Sequence, residues 1–263
     1  MHTLLEVIRR DALLAFKAWR LWTMLAWNDI LLRYRRSILG PFWITLSMAA
    51  FIAVLGVIYS RIFNVDVATY LPFLTLGYVT WGFIAQTVNE SCGAFQEGER
   101  IIKQLRLPYG LYVFRVVWRN FLIFLHTIVI FVPVALVFRV WPGAHGLLAV
   151  LGIILLLANL NGIAMVLAIL AARFRDIAPI VVTVMQILLF ATPIMWPVSS
   201  LGGAVWIAQI NPFYHFIELI RAPLLGDAPP LLSWTVALGS LILGSVLSLL
   251  LLNRAAKRIV FWV

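Results

Sequence analysis

The sequence predicts an all-α polytopic membrane protein. It comprises six transmembrane helices, an N-terminal amphipathic interface helix and a re-entrant outer segment between spans five and six. Three observations predict this. Of the 263 residues 63% are hydrophobic and 11% charged, against about 45–50% and about 25% in a soluble domain. Long charge-free runs recur along the chain. The basic residues fall in the gaps between runs, and nearly all on alternate gaps. So few charges cannot cover the apolar surface of a water-soluble enzyme, and such hydrophobicity excludes disorder. One cysteine, Cys92, excludes a disulfide scaffold; it reads as a small buried hydrophobe.

The first element is amphipathic. Glu6, Arg9, Arg10 and Asp11 leave residues 1–16 without the apolar stretch of a secretory signal. On a helical wheel over 4–17, Glu6, Arg9, Arg10 and Lys17 share one side, and Asp11 and Leu13 interrupt the pattern. Trp19, Trp22 and Trp27 follow, then Arg33, Arg35 and Arg36. Tryptophan with a basic cluster suits the membrane–water interface. Residues 1–36 are therefore read as a cytoplasmic interface segment.

A spanning helix needs about 20 mostly apolar residues. Charge-free runs at 37–60, 67–89, 120–138 and 146–172 supply spans one to four. Their internal Gly and Pro are tolerated in membranes. The run 177–217 is too long. As a single helix it would reach about 60 Å, about twice the hydrocarbon core. Pro193, Pro197 and Gly202-Gly203 offer break points. It forms either two full spans or one span and a segment that dips in and returns. The run 228–253 is the last span, and 254–263 is a short tail.

The charges choose between the two. With six spans and both ends inside, the cytoplasmic side receives every Lys and Arg except Arg61, Arg139 and Arg221. That is a strong positive-inside bias. A seventh span would put Arg254, Lys257 and Arg258 outside. Spans one to five therefore occupy 37–196, and 197–227 is an outer gate segment. All of it is one transmembrane permease domain, since no loop is long enough for a separate soluble domain. The net charge of +10 then belongs to membrane-flanking loops, so no nucleic acid is expected.

Candidate chemistry is sparse. No glycine precedes a lysine, so the phosphate-cradling G-x-x-x-x-G-K-[ST] is absent. His2, His126, His145 and His215 lack metal-ligand spacing. Ion coupling marks itself by ionisable groups in mid-span; here only Glu90 and Arg119 fall near span ends. The polar mid-span residues Asn159, Asn161, Gln186 and Thr192 suit helix–helix hydrogen bonds. No catalytic residue, metal ligand or cofactor site is therefore expected in this chain.

Two loops stand out. In 97–108, Glu99 and Lys103 form an i, i+4 pair, Ile101, Ile102 and Leu105 make an apolar patch, and Pro108 ends the element. This suits docking of a partner, and equally a plain solvated loop. Arg173-Phe174-Arg175-Asp176 is a charged turn, a docking point or a positive-inside anchor. Among the aromatic residues, Tyr78, Trp81, Phe83, Trp196, Trp206, Phe213 and Tyr214 offer flat faces for sugar rings, or belong to interface belts and core.

Arg33-Tyr34-Arg35-Arg36-Ser37-Ile38-Leu39-Gly40-Pro41-Phe42-Trp43 opens span one. It resembles the corresponding stretch in permeases of type-2 ABC polysaccharide exporters, the family of O-antigen, capsule and teichoic acid export. Asn211-Pro212-Phe213-Tyr214 with Arg221-Ala222-Pro223-Leu224 is similar to that family's outer motif, and 97–108 and the turn at 173–176 fall in the expected order. The resemblance implies a homodimer in the bacterial inner membrane, working with two copies of a separate nucleotide-binding subunit that carries ATP and Mg. It implies that Glu97, Glu99, Arg100, Ile101, Ile102, Lys103, Leu105 and Arg106 dock in the ATPase cleft. Arg33, Arg35 and Arg36 would then form the cytoplasmic mouth for a lipid-linked glycan. Tyr78, Trp81, Phe83 and Trp196 would line the channel. Trp206, Asn211, Pro212, Phe213, Tyr214 and Arg221 would form the outer gate.

Three rivals are weighed against this. A type-2 permease for a small lipid or drug would use the same levers. A membrane-embedded enzyme would need convergent acid, base or metal residues, and a secondary transporter buried charges and inverted repeats.

Overall fold

A computed structural model describes residues 11, 13–35, 40, 42–105 and 107–263. The expected Glu6, Arg9 and Arg10 face, and Arg36 and Arg106 of the candidate sites, lie outside the described residues. Every regular element described is helical. Helix α1 (Trp19–Tyr34) follows a helical turn over residues 13–17. Helices α2 (Phe42–Ile62) and α3 (Val67–Ser91) match the first two expected spans within a few residues. Two short helices follow, α4 (Ala94–Glu97) and α5 (Glu99–Gln104). The third span is α6 (Gly110–Thr127) running through a 3₁₀ turn at Ile128–Ile130 into α7 (Phe131–Phe138). Pro133 explains that turn: it lacks the N–H that would bond Val129 and its ring crowds that carbonyl.

Helix α8 (Gly146–Arg173) is the fourth span, and α9 (Ile177–Ala191) comes next. The chain then breaks, as Pro193 and Pro197 demand. Helix α10 (Trp206–Ile210) and helix α11 (Pro212–Leu225) follow a short 3₁₀ stretch, Val198–Ala204, broken at Gly202. Helix α12 (Leu231–Ala255) is the last long one, and α13 (Ile259–Trp262) ends the chain.

Five of these segments are long and apolar enough to cross a membrane: Phe42–Ile62, Val67–Ser91, Gly110–Phe138, Gly143–Arg173 and Leu231–Ala255. Helix α9, expected as span five, has 15 residues. At 1.5 Å per residue it reaches about 22 Å, short of the roughly 30 Å hydrocarbon core.

The third span starts ten residues earlier than the charge-free run suggests, at Gly110 and not at residue 120. Arg115 and Arg119 are therefore helical residues, not loop residues. Helix α6 can continue through them because carboxylates from three other elements neutralise them, as described below.

Helices α3 and α8 form the centre. Helix α3 packs on α2, α6, α8 and α11, and α8 on α12, α11, α3 and α6. Helix α1 lies on α6. Helices α2 and α12 keep most of their apolar surface outside the bundle. Membrane helices gain little from apolar burial and associate by close packing and hydrogen bonds, and both appear here. Asn159 of α8 donates to the Ala237 carbonyl of α12 at 3.1 Å, whereas Asn161 only bonds Leu157 within its own helix. Gly152 of α8 faces α11 so closely that a Cβ there would lie 2.3 Å from the Leu219 carbonyl oxygen.

Gly152→Val is thus expected to force α8 and α11 apart, at a cost of about 2 kcal/mol or more. Thermal unfolding in detergent should show a melting point several degrees lower; an unchanged melting point would mean that the contact contributes nothing.

Candidate functional site

The end of the bundle that carries most basic residues holds a cluster of three guanidiniums and three carboxylates. Arg119 of α6 stands at its centre, with a side chain 5% exposed. It donates to Asp29 of α1 at 2.9 Å, to Glu90 of α3 at 2.8 Å and to Glu97 of α4 at 3.3 Å. Arg115, one turn earlier, holds Asp29 with two hydrogen bonds of 2.7 and 2.5 Å. Arg33 of α1 reaches the other oxygen of Glu90 at 2.9 Å. Gln86 and Asn120 donate to Glu90 at 3.1 and 2.9 Å. A carboxylate near a helix C-terminus opposes the helix dipole, and these four donors compensate Glu90 for that position.

The cluster ties α1, α3, α4 and α6 at one point. Removing Arg119 would leave three carboxylates against two guanidiniums, an uncompensated charge around a site whose centre is buried. Of its members, the sequence marks Glu90 and Arg119 as ionisable groups near span ends, and it assigns Arg33 and Glu97 to the expected mouth and docking surface. Asp29 and Arg115 were not singled out. One signal was legible: Glu90 and Arg119 have opposite charges and sit at adjoining ends of consecutive spans.

The segment 97–108 is built on this cluster. The Lys103 ammonium bonds Glu99 at 2.6 Å, as the i, i+4 spacing predicts, and this bond holds the Glu99 carboxyl below the usual carboxylate range. The expected apolar patch divides. Ile102 is buried, Ile101 is half-buried and only Leu105 is largely exposed. Glu97, Glu99, Arg100, Lys103 and Leu105 face outward. Phe95 of α4 is buried edge-on against Tyr109 and Tyr112. Gln96 donates to the Ala171 carbonyl near the end of α8 at 3.2 Å.

Asp11, which interrupts the amphipathic pattern, explains itself here. Its carboxylate accepts from the Tyr109 and Gly110 backbone N–H groups at 2.8 and 3.1 Å, capping α6 from outside. Burial pushes this carboxyl up from its ordinary range, although the two backbone bonds favour its charged form. The Tyr109 hydroxyl in turn donates to the Ala256 carbonyl beyond α12 at 2.9 Å. The N-terminal segment, the start of α6 just after the loop 97–108 and the C-terminal end are thus connected by hydrogen bonds.

Beside the cluster, an apolar cavity of about 470 Å³ opens between α1, α2 and α6, lined among others by Trp27, Ile30, Tyr34, Phe42 and His126. Arg35 caps α1 next to it and is exposed.

At the opposite end, Asn211 caps α11 by accepting from the Phe213 N–H at 3.0 Å, with Pro212 as first helical residue. Its amide donates to Thr192 at 2.8 Å. Arg221, expected as an outer-side charge, is 1% exposed. It bonds Glu218, donates to the Pro193 carbonyl at 2.9 Å and stacks on the Phe73 ring at 3.9 Å. It therefore fastens α11 to the broken stretch after α9 and to α3. The Tyr70 hydroxyl bonds the Met195 carbonyl in the same place. Trp206 is exposed, and Phe213 and Tyr214 are half-buried.

The candidate channel aromatics separate. Trp81 lies edge-on to Phe213 and Phe83 stacks on Phe124; both are buried inside one chain and offer no ring face to a solute. Tyr78 and Trp196 are half-buried. No group of three or more potential metal ligands occurs among the described residues.

Arg119→Gln is expected to cost about 3–5 kcal/mol, because three carboxylates lose their shared partner. Thermal unfolding and protease resistance of the detergent-purified chain would measure it. A loss below about 1 kcal/mol would show that the cluster holds nothing together.

Comparison with known proteins agrees with this architecture. The family model described as ABC-2 type transporter matches residues 20–225. The O-antigen export system permease protein RfbA of Myxococcus xanthus is 22% identical over 213 residues, covering 78% of this chain and 82% of that protein. A protein of the same name from Klebsiella pneumoniae is 24% identical over 196 residues, covering 72% and 74%. The family match spans most of the chain and includes the cluster, the loop 97–108 and helix α11. The chain belongs to the ABC-2 type transporter family, as a multi-pass membrane permease.

Proposed function

We propose that this chain is the permease of an ATP-driven exporter that moves a lipid-linked polysaccharide, of O-antigen or capsular type, out across the bacterial inner membrane. The observation that carries the reading is the likeness to permeases named for O-antigen export, over about three quarters of both lengths. On this reading the chain has six spans, with α9 as the short fifth, and both termini lie in the cytoplasm. The charge distribution supports this, since the ion cluster and the loop 97–108 then share the cytoplasmic face.

The chain works as a homodimer with two copies of an ATPase subunit. Helices α2 and α12 support the dimer, since their apolar faces find no cover within one chain. The exposed strip Glu97, Glu99, Arg100, Lys103 and Leu105, with Arg106, meets the ATPase. The side of α5 that carries the buried Ile102 and half-buried Ile101 secures it to the bundle. Movement of α4 and α5 reaches α1, α3 and α6 through Arg119. Arg35 and Arg36 attract the diphosphate of the carrier by charge-assisted hydrogen bonds. Arg33 does so only in part, because Glu90 already holds it. The apolar cavity by Trp27 and Tyr34 suits the first isoprene units. Sugars pass between the two copies along Tyr78 and Trp196, past an outer gate built on α10 and α11.

Deletion of the gene should abolish cell-surface glycan, and a plasmid copy should restore it. Normal glycan, with loss instead of resistance to a drug or of a small lipid, would favour the small-molecule permease. Arg35→Glu with Arg36→Glu, which spares the Arg33–Glu90 pair, should lower surface glycan at least about tenfold while the complex still assembles. Unchanged glycan would remove these residues from the mouth. Arg100→Glu with Leu105→Asp should prevent co-purification with the ATPase subunit and leave the melting point unaltered; intact co-purification would move the docking surface elsewhere.

A further inference from the structure

Three more guanidiniums at the basic end take no part in the ion cluster. Arg173 closes α8, Arg254 stands in the last turn of α12, and Arg258 follows it. With Trp262 of α13 they surround a cavity of about 420 Å³ whose apolar wall includes Leu170 and Leu251. Arg173 lies 5.6 Å from the Trp262 ring and 5.0 Å from that of Phe174. No carboxylate pairs with any of the three among the described residues, although every guanidinium of the nearby cluster is paired. Each of the two helix C-termini carries a partial charge of about −0.5. Against three positive charges the cavity keeps a surplus of about +2.

We propose that this cavity binds the headgroup of an anionic phospholipid. Its phosphate sits among Arg173, Arg254 and Arg258, and one acyl chain runs down the wall of Leu170 and Leu251. Two features select this occupant. The cavity joins a cationic rim to an apolar wall at the ends of two spans, the amphiphilic order of a lipid. Cations close to a membrane surface also favour anionic lipid by about fivefold each. The indole N–H of Trp262, which has no partner among the described residues, is a further donor for a phosphate or glycerol oxygen. A lipid held there would cement α8, α12 and α13, and through Tyr109 and the Ala256 carbonyl would steady the loop 97–108.

The full chain, in nanodiscs of equal phosphatidylglycerol and phosphatidylcholine, tests this by native mass spectrometry of retained lipid. The wild type should keep phosphatidylglycerol over phosphatidylcholine by about tenfold or more. Arg173→Gln with Arg254→Gln and Arg258→Gln should fall to parity. Lys17→Gln with Arg20→Gln and Arg100→Gln, the same charge change outside the cavity, should keep the preference. Equal retention of both lipids by the wild type, or equal loss in both triple variants, overturns the proposal. A second measurement needs no arginine variant. Phosphatidylglycerol brominated on its acyl chains should quench wild-type tryptophan emission more than that of Trp262→Phe, and brominated phosphatidylcholine should not; quenching by the two lipids alike overturns the site. Added farnesyl diphosphate should leave the phospholipid in place. Its displacement at equal mole fraction would assign the cavity to a prenyl diphosphate and overturn the phospholipid assignment.

Discussion

A charge taken out of water has to be neutralised close by, and at the edge of a bilayer this constraint arranges the basic end of the protein. Arg119 is the point where it is met. One side chain on α6 satisfies carboxylates from three other helices: Glu90 of α3 and Glu97 of α4, close together in sequence, and Asp29 of α1, far from both. Hydrophobic attraction is weak between helices that already lie in lipid. A neutral cluster of six charges therefore contributes specificity that apolar contacts cannot. It ties α1, α3 and α4 to α6 at one point.

The same constraint shapes the other end by different means. Arg221 has its Glu218 three residues away on the same helix, an aromatic ring on one face and a carbonyl from the broken stretch at 193. Its charge is settled mostly within α11. The basic end uses ion pairs that cross between elements, so movement of one element is felt by the others. The opposite end uses a local pair and a carbonyl bond, so α11 behaves as a unit pinned to the break after α9.

The spans were legible in the sequence because the bilayer forbids unpaired charge, and a charge-free run is visible without any partner. The limits of α2, α3, α8 and α12 follow from that alone. The start of α6 did not follow. Arg115 and Arg119 look like loop charges until Asp29 is placed beside them, and no spacing rule connects residues about ninety positions apart. Asp11 is the converse case. As a blemish in a helical wheel it weakened the amphipathic reading, and in the fold it is the residue that fixes that segment to α6. The division of Ile101, Ile102 and Leu105, and the burial of Trp81 and Phe83, were beyond reach for a similar reason. Exposure depends on which helix lies opposite, and composition is silent on that.

A cluster that costs several kcal/mol to break does not bend; it is carried. A force applied to the exposed strip of α5 would sooner displace α4, α1 and the adjoining ends of α3 and α6 together than part their ion pairs. The places able to yield are those where regular hydrogen bonding already lapses: the extended Leu105 at the end of α5, the turn after Arg173 and the stretch between Thr192 and Val198. Each joins a basic-end element or a span to its neighbour, and the last borders α11 and Arg221. A motion started at the loop would therefore meet a rigid lever and soft joints, and the joint at 192–198 is where displacement of the spans would reach α10 and α11.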